Sequence, residues 1–131
     1  MRNPGAYARL MVEIDESTRS GSLSNPVRYH EAAKLPYLAA CYKEGMRLHP
    51  SVGLTVPRLV PHGGREICGH YFPGGTRVGV NAAVIHRDRA VFGHDADEFV
   101  PERWFRHDAN TMDRNMFQVR HIVSRPKWPY C

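Results

Sequence analysis

KEGMRLHP, residues Lys43–Pro50, sets a glutamate and an arginine three residues apart, Glu44 and Arg47, and closes on a proline. Residues three apart on a helix share a face, so the two side chains can pair. Taken alone such a pair suits a solvated helix and contributes only about 0.3–0.5 kcal/mol. The surrounding pattern predicts a helix from Pro36 that ends at Pro50, because the residue before a proline is pushed out of the helical region. Leu35, Leu38, Ala39, Tyr42 and Met46 make one apolar stripe, with Glu44 and Arg47 on another face. Gly45 costs this helix about 1 kcal/mol relative to alanine, so packing rather than propensity must hold it.

The partner stretch lies more than fifty residues downstream, in VPERWF (Val100–Phe105). Arg103 sits there among proline, tryptophan and phenylalanine, an apolar setting that disfavours an unpaired charge. The pattern predicts an irregular, extended segment, and Arg103 needs an anion, for which Glu44 is a candidate. A carboxylate between two guanidinium forks would be a buried network that fixes geometry more than it adds stability.

Around these pieces the chain reads as follows. Asn3 as a cap, Pro4 at the first helical position, and Tyr7, Leu10, Met11 and Ile14 at helical spacing predict an opening helix. SGSLSNP (Ser20–Pro26) is a linker by composition. From Val56 to Val80 the period becomes two, and in REICGHYFPGGTRVGV the two β-rich runs flank Pro73-Gly74-Gly75, the expected hairpin turn. NAAVIHRD (Asn81–Asp88) predicts a short helix, and no internal repeat is visible.

Composition bounds the possibilities. At 131 residues the chain makes one domain with a moderate core. A hydrophobic fraction of 42% and a charged fraction of 24% are those of a globular protein. The net charge is +5, and Arg114–Lys127 carries four basic side chains and no acid. A basic tail of that kind leaves a nucleic-acid or acidic-lipid binder as an alternative, although a solvated tail is the simpler reading and no nucleic acid is expected. No apolar run approaches the ~20 residues of a membrane span, and the start MRNPGAYARL lacks the apolar core of a signal peptide. The cysteines Cys41, Cys68 and Cys131 have no C-x-x-C spacing. The histidines show no H-E-x-x-H, HDADE lacks the glycine and distant glutamate of a calcium loop, and no G-x-S-x-G elbow occurs. No catalytic residue and no metal ligand can be assigned from these patterns.

In their order, E-x-x-R in KEGMRLHP, the PGGTRV stretch, IHRD and P-E-R-W resemble the C-terminal part of a cytochrome P-450, a haem-thiolate monooxygenase. SVGLTVPRLVPHGG and ICGHYFPGGTRVGVNAAVIHRD are most similar to fungal members of the pisatin-demethylase kind. The resemblance implies an α+β fragment of a mainly α fold: two helices, a small β region and the P-E-R segment, as a partial domain over 1–118. It implies that Glu44, Arg47 and Arg103 form a structural triad beneath the haem, and that Arg58 binds a haem propionate, for which a guanidinium is well suited. It also implies that Val52, Leu54 and Val56 line the substrate pocket, the plain alternative being a loop packed on the core. Intact members bind haem, take electrons from a flavoprotein reductase and insert oxygen into small apolar organic substrates. Eukaryotic members are anchored in the endoplasmic-reticulum membrane.

One piece of the pattern does not match. The family's iron ligand lies in F-x-x-G-x-R-x-C-x-G shortly after P-E-R, but here the chain reads QVRHIVSRPKWPYC, with no glycine after Gly93. Cys131 has Ser124, Lys127 and Pro129 where phenylalanine, glycine and arginine belong, which rejects it as the ligand. The expectation is a family fragment, inactive alone, with an unrelated tail over 119–131 and a gene product truncated or mis-spliced near Gln118. The distal oxygen-activating helix would precede Met1. A non-catalytic binding fragment is the further alternative.

Overall fold

The computed structural model describes residues 3–55, 57–106 and 108–118. The expectations for Val56, for the 119–131 tail and for Cys131 lie outside them. The elements in chain order are α1 (Pro4–Arg19), α2 (Tyr29–Ala32), α3 (Pro36–Leu48), β1 (Arg58–Leu59), β2 (Arg65–Ile67), β3 (His70–Phe72), β4 (Arg77–Val78), α4 (Ala82–Ile85), α5 (Arg89–Phe92), a 3-10 helix (Pro101–Phe105) and α6 (Ala109–Gln118). Helices with two small antiparallel sheets make this an α+β arrangement.

Proline sets two helix starts. Pro4 and Pro36 occupy first-turn positions, where the missing N–H is one the helix cannot use. Asn3 stands at the N-cap of α1, but its side chain makes no capping hydrogen bond. The SGSLSNP linker is tied down rather than free. Glu31 of α2 accepts from the Ser24 N–H at 3.0 Å and the Ser24 hydroxyl at 2.7 Å. Those bonds hold its carboxyl down at about 2.

Helix α3 has no capping side chain of its own and no acid in its first turn. Its cap comes from another helix. Glu13 of α1 accepts the Tyr37 N–H through Oε1 and the Leu38 N–H through Oε2, both at 2.8 Å. Two orphan donors and the positive end of the helix dipole are satisfied by one carboxylate, which also fixes α1 against α3. Glu13→Ala is therefore expected to destabilise the chain by about 1–2 kcal/mol, and Glu13→Gln by less. Chemical denaturation of the three proteins checks this, and equal midpoints would show the cap to be idle.

The face of α3 that is buried differs from the expected stripe. Tyr37, Ala40, Glu44 and Arg47 are the buried positions, while Tyr42 is 66% exposed. Leu35 is buried and Met46 packs on the core, so part of the stripe is used. The polar pair sits inside because it has partners there, and hydrogen bonding outweighs the hydropathy pattern.

The β region also corrects an expectation. Strands β2 and β3 pair in the register Arg65↔Phe72, Glu66↔Tyr71, Ile67↔His70, so the hairpin turn is Cys68-Gly69. Both turn residues have positive φ, 51° and 74°, as a two-residue hairpin turn demands. Pro73-Gly74-Gly75 forms a separate turn, with the Thr76 N–H donating to the Pro73 carbonyl and Gly75 at φ 82°. It leads from β3 to β4, and β4 pairs with β1 in the register Arg58↔Val78, Leu59↔Arg77. Turn composition marked Pro73-Gly74-Gly75 alone and passed over Cys68-Gly69, the turn that joins the paired strands β2 and β3.

NAAVIHRD does contain a helix, α4, capped by the Asn81 side chain on the Ala83 N–H. Asp88 caps α5 in the same way on Ala90. The P-E-R segment is a 3-10 helix rather than extended chain. Phe92, Ala96, Met112 and Met116 form the apolar core, with Met46, Val91 and Trp104 against it. Helix α6 escaped the sequence reading, although Met112 and Met116 at i, i+4 after Asp108 are its signal.

Candidate functional site

The most built part of the molecule is the junction of α3 with the 3-10 helix. Glu44, Arg47 and Arg103 are all fully buried. Arg47 forks onto Glu44, Nε to Oε2 at 3.0 Å and Nη2 to Oε1 at 2.9 Å. From the 3-10 helix, Arg103 Nε donates to the same Oε1 at 2.9 Å. The Val100 N–H and the Trp104 indole N–H complete the set at 2.9 and 3.1 Å. One carboxylate thus accepts five hydrogen bonds, from residues up to sixty positions apart.

The remaining guanidinium donors are satisfied by backbone carbonyls and the Asp95 carboxylate. Arg47 Nη1 donates to the His86 carbonyl at 2.7 Å and to the Ala96 carbonyl, and Nη2 donates to the Glu98 carbonyl at 2.9 Å. All five N–H groups of Arg47 therefore have acceptors. Its guanidinium also lies 5.1 Å from the centre of the Phe92 ring. Arg103 Nη1 donates to the Phe92 carbonyl at 2.6 Å and to Asp95 Oδ1 at 3.1 Å, and Nη2 donates to the Asp95 carbonyl at 2.9 Å.

Asp95 is a fourth member that sequence reasoning missed. It takes Arg103 on one oxygen and the exposed Arg106 on the other, at 3.1 Å each. With it, the buried cluster holds two cations and two anions, so the charge closes locally. Burial would raise the Glu44 carboxyl, but the hydrogen bonds from Arg47 and Val100 and the Arg47 charge outweigh it, and the pKa is lowered. Asp95 follows the same logic with Arg106 and Arg103.

A second polar layer lies beside the first. Glu102 Oε1 accepts from the Tyr37 hydroxyl at 2.8 Å and from Arg9 Nη1 at 3.2 Å. The Arg9 guanidinium stands 4.5 Å from the Tyr37 ring centre, so α1, α3 and the 3-10 helix meet there. Burial and the Glu102 carboxylate raise the Tyr37 phenol to about 12, which keeps it a neutral donor.

Arg58, Val52 and Leu54, the other sequence candidates among the described residues, are exposed. Arg58 is exposed on β1, and among the described residues its side chain makes a long contact, 3.5 Å, to the adjacent Pro57 carbonyl. Val52 and Leu54 are 54% and 78% exposed on the loop that follows α3. Among the described residues, no three histidine, cysteine or acidic side chains converge as a metal cluster, and no helix is long and apolar enough to cross a membrane.

A family model described as Cytochrome P450 matches residues 1–119. The cytochrome P450 monooxygenase gsfF of Penicillium aethiopicum is 45% identical over 114 residues, 87% of this chain and 23% of that protein. The cytochrome P450 monooxygenase ACRTS1 of Alternaria alternata is 46% identical over 104 residues, 79% of this chain and 28% of that protein. A pisatin demethylase of Fusarium vanettenii is 42% identical over 108 residues, 82% of this chain and 21% of that protein. The chain thus spans about a quarter of the length of these curated relatives. With a match over nearly its whole described length, the chain belongs to the cytochrome P450 family.

Proposed function

We propose that this chain is the structural core segment of a haem-dependent monooxygenase that inserts oxygen into a small apolar organic substrate, and that the chain alone is inactive. The observation that carries the reading is the buried Glu44 carboxylate shared by Arg47 and Arg103. Such a network holds two distant segments in one fixed relation, which is what a cofactor platform needs. On this reading the partial domain is 1–118, and 119–131 is unrelated to it.

Haem, when bound, would supply the oxygen chemistry of the family. Of the residues present, Arg58 fits the group, because its guanidinium is exposed and, among the described residues, engaged by a long backbone contact, leaving donors for a propionate. Val52, Leu54 and Val56 would offer apolar surface to the substrate, and the exposure of the first two suits that role. Iron ligation would need a thiolate in a glycine-bounded loop, a pattern that residues 119–131 do not contain. A flavoprotein reductase would be the electron donor.

Two measurements test this together. The 131-residue chain, mixed with haem, reduced and exposed to carbon monoxide, is expected to lack the long-wavelength Soret band of a thiolate-ligated haem; its appearance would overturn the claim of inactivity. A chimera carrying residues 3–118 in place of the matching segment of the Alternaria alternata relative is expected to show that band and retain turnover. If the chimera folds and binds haem but shows no such band, the segment is not a competent core.

A further inference from the structure

The 3-10 helix Pro101–Phe105 meets α3 at two places, and only one of them belongs to the arginine cluster. There the Val100 N–H, Arg103 and the Trp104 indole all converge on the single Glu44 carboxylate. The bonds to the Phe92 carbonyl, the Asp95 carbonyl and the Asp95 carboxylate leave from the same Arg103 guanidinium. The Arg106–Asp95 pair that follows the segment is 41% exposed on its arginine side and holds it weakly. Held through these alone, the segment is fixed near one point and can swing about it.

Tyr37 supplies the other place. It lies seven residues before Glu44 among the buried positions of α3, two turns or about 10.5 Å along the axis. The residue is 3% exposed, and its hydroxyl donates to Glu102 Oε1 at 2.8 Å. The Phe105 ring lies parallel to the Tyr37 ring, with 5° between the planes and 6.3 Å between the centres. Arg9 of α1 closes over both rings, 4.5 Å from the centre of Tyr37 and 6.0 Å from that of Phe105. Its Nη1 donates to the same Glu102 oxygen at 3.2 Å.

We propose that Glu102 is a positioning residue: through the Tyr37 hydroxyl it fixes the direction of the P-E-R segment along α3, and so the orientation in which Arg103 and Trp104 reach Glu44. Two attachments about 10 Å apart remove the swing that one permits. Tyr37 carries the larger share of this, because its bond to Glu102 is part-buried. The Arg9–Glu102 pair is 58% and 46% exposed and contributes less. The use of a fixed orientation to a haem rests on the function proposed above, whereas the positioning is measured without haem, so the two can fail separately.

Hydrogen exchange of the full haem-free chain, followed by NMR, reads two protons that point at Glu44, the Val100 N–H and the Trp104 indole N–H. Tyr37→Phe keeps the ring and removes the hydroxyl. Opening at both protons is expected to rise about tenfold, the size of one lost hydrogen bond, while amides within α3 change by less than about twofold. Arg9→Gln removes the exposed pair and should raise the opening by about threefold at most. The double variant Tyr37→Phe/Glu102→Ala should be no looser than Glu102→Ala alone, because both substitutions remove the same bond. Four results would each overturn the proposal. They are unchanged protons in Tyr37→Phe, a rise shared equally by α3 as in a general loss of stability, a larger rise in Arg9→Gln than in Tyr37→Phe, and additive effects in the double variant.

Discussion

Glu44→Ala is expected to destabilise the fold by at least about 3–5 kcal/mol, the cost of leaving buried charges without their partner. The substitution removes the acceptor of five hydrogen bonds at once and leaves Arg47 and Arg103 facing each other, both fully buried. Nothing nearby can replace the carboxylate, because Asp95 is already engaged by Arg103 and Arg106. Glu44→Gln should fall close behind. It preserves shape, but its amide N–H groups would point at guanidinium N–H groups, so donors would meet donors. Urea unfolding monitored through Trp104, whose indole donates to Glu44, reports the change directly. A midpoint for Glu44→Ala within error of wild type would show that the cluster contributes no stability.

Arg47→Lys should cost nearly as much, about 3 kcal/mol, although it keeps the charge. The reason is geometric. The guanidinium reaches one carboxylate and three backbone carbonyls, those of His86, Ala96 and Glu98, in fixed directions. An ammonium has three donors on one atom and cannot span them, so at least two buried carbonyls lose their partner at about 1–3 kcal/mol each. The stacking on Phe92 is lost as well. A double-mutant cycle with Arg103→Lys then separates charge from geometry. Coupling well above about 0.5 kcal/mol is expected, since the two arginines share Glu44 Oε1. If Arg47→Lys unfolds at the wild-type midpoint, charge alone holds the junction and the directional argument fails.

Some of this architecture is written locally. Pro4, Pro36 and Pro50 bound two helices because proline lacks an N–H and restricts its predecessor. Asn81 before an apolar run starts α4 because a short polar side chain can reach the N–H two residues on. The order of E-x-x-R, P-G-G, I-H-R-D and P-E-R-W marked the family, which the match over residues 1–119 shows. The remainder is decided by tertiary contacts that carry no sequence mark. Which face of α3 turns inward follows from the partners available to Glu44 and Arg47, and the apolar stripe alone pointed elsewhere. Cys68-Gly69 joins paired strands and Pro73-Gly74-Gly75 does not, because register depends on what each strand meets across the sheet. Helix α3 borrows its cap from Glu13, twenty-four residues back, and Asp95 closes the charge of the buried cluster. Most of the arginine acceptors are backbone carbonyls, a group every residue has, so only the path of the chain could select His86, Phe92, Ala96 and Glu98.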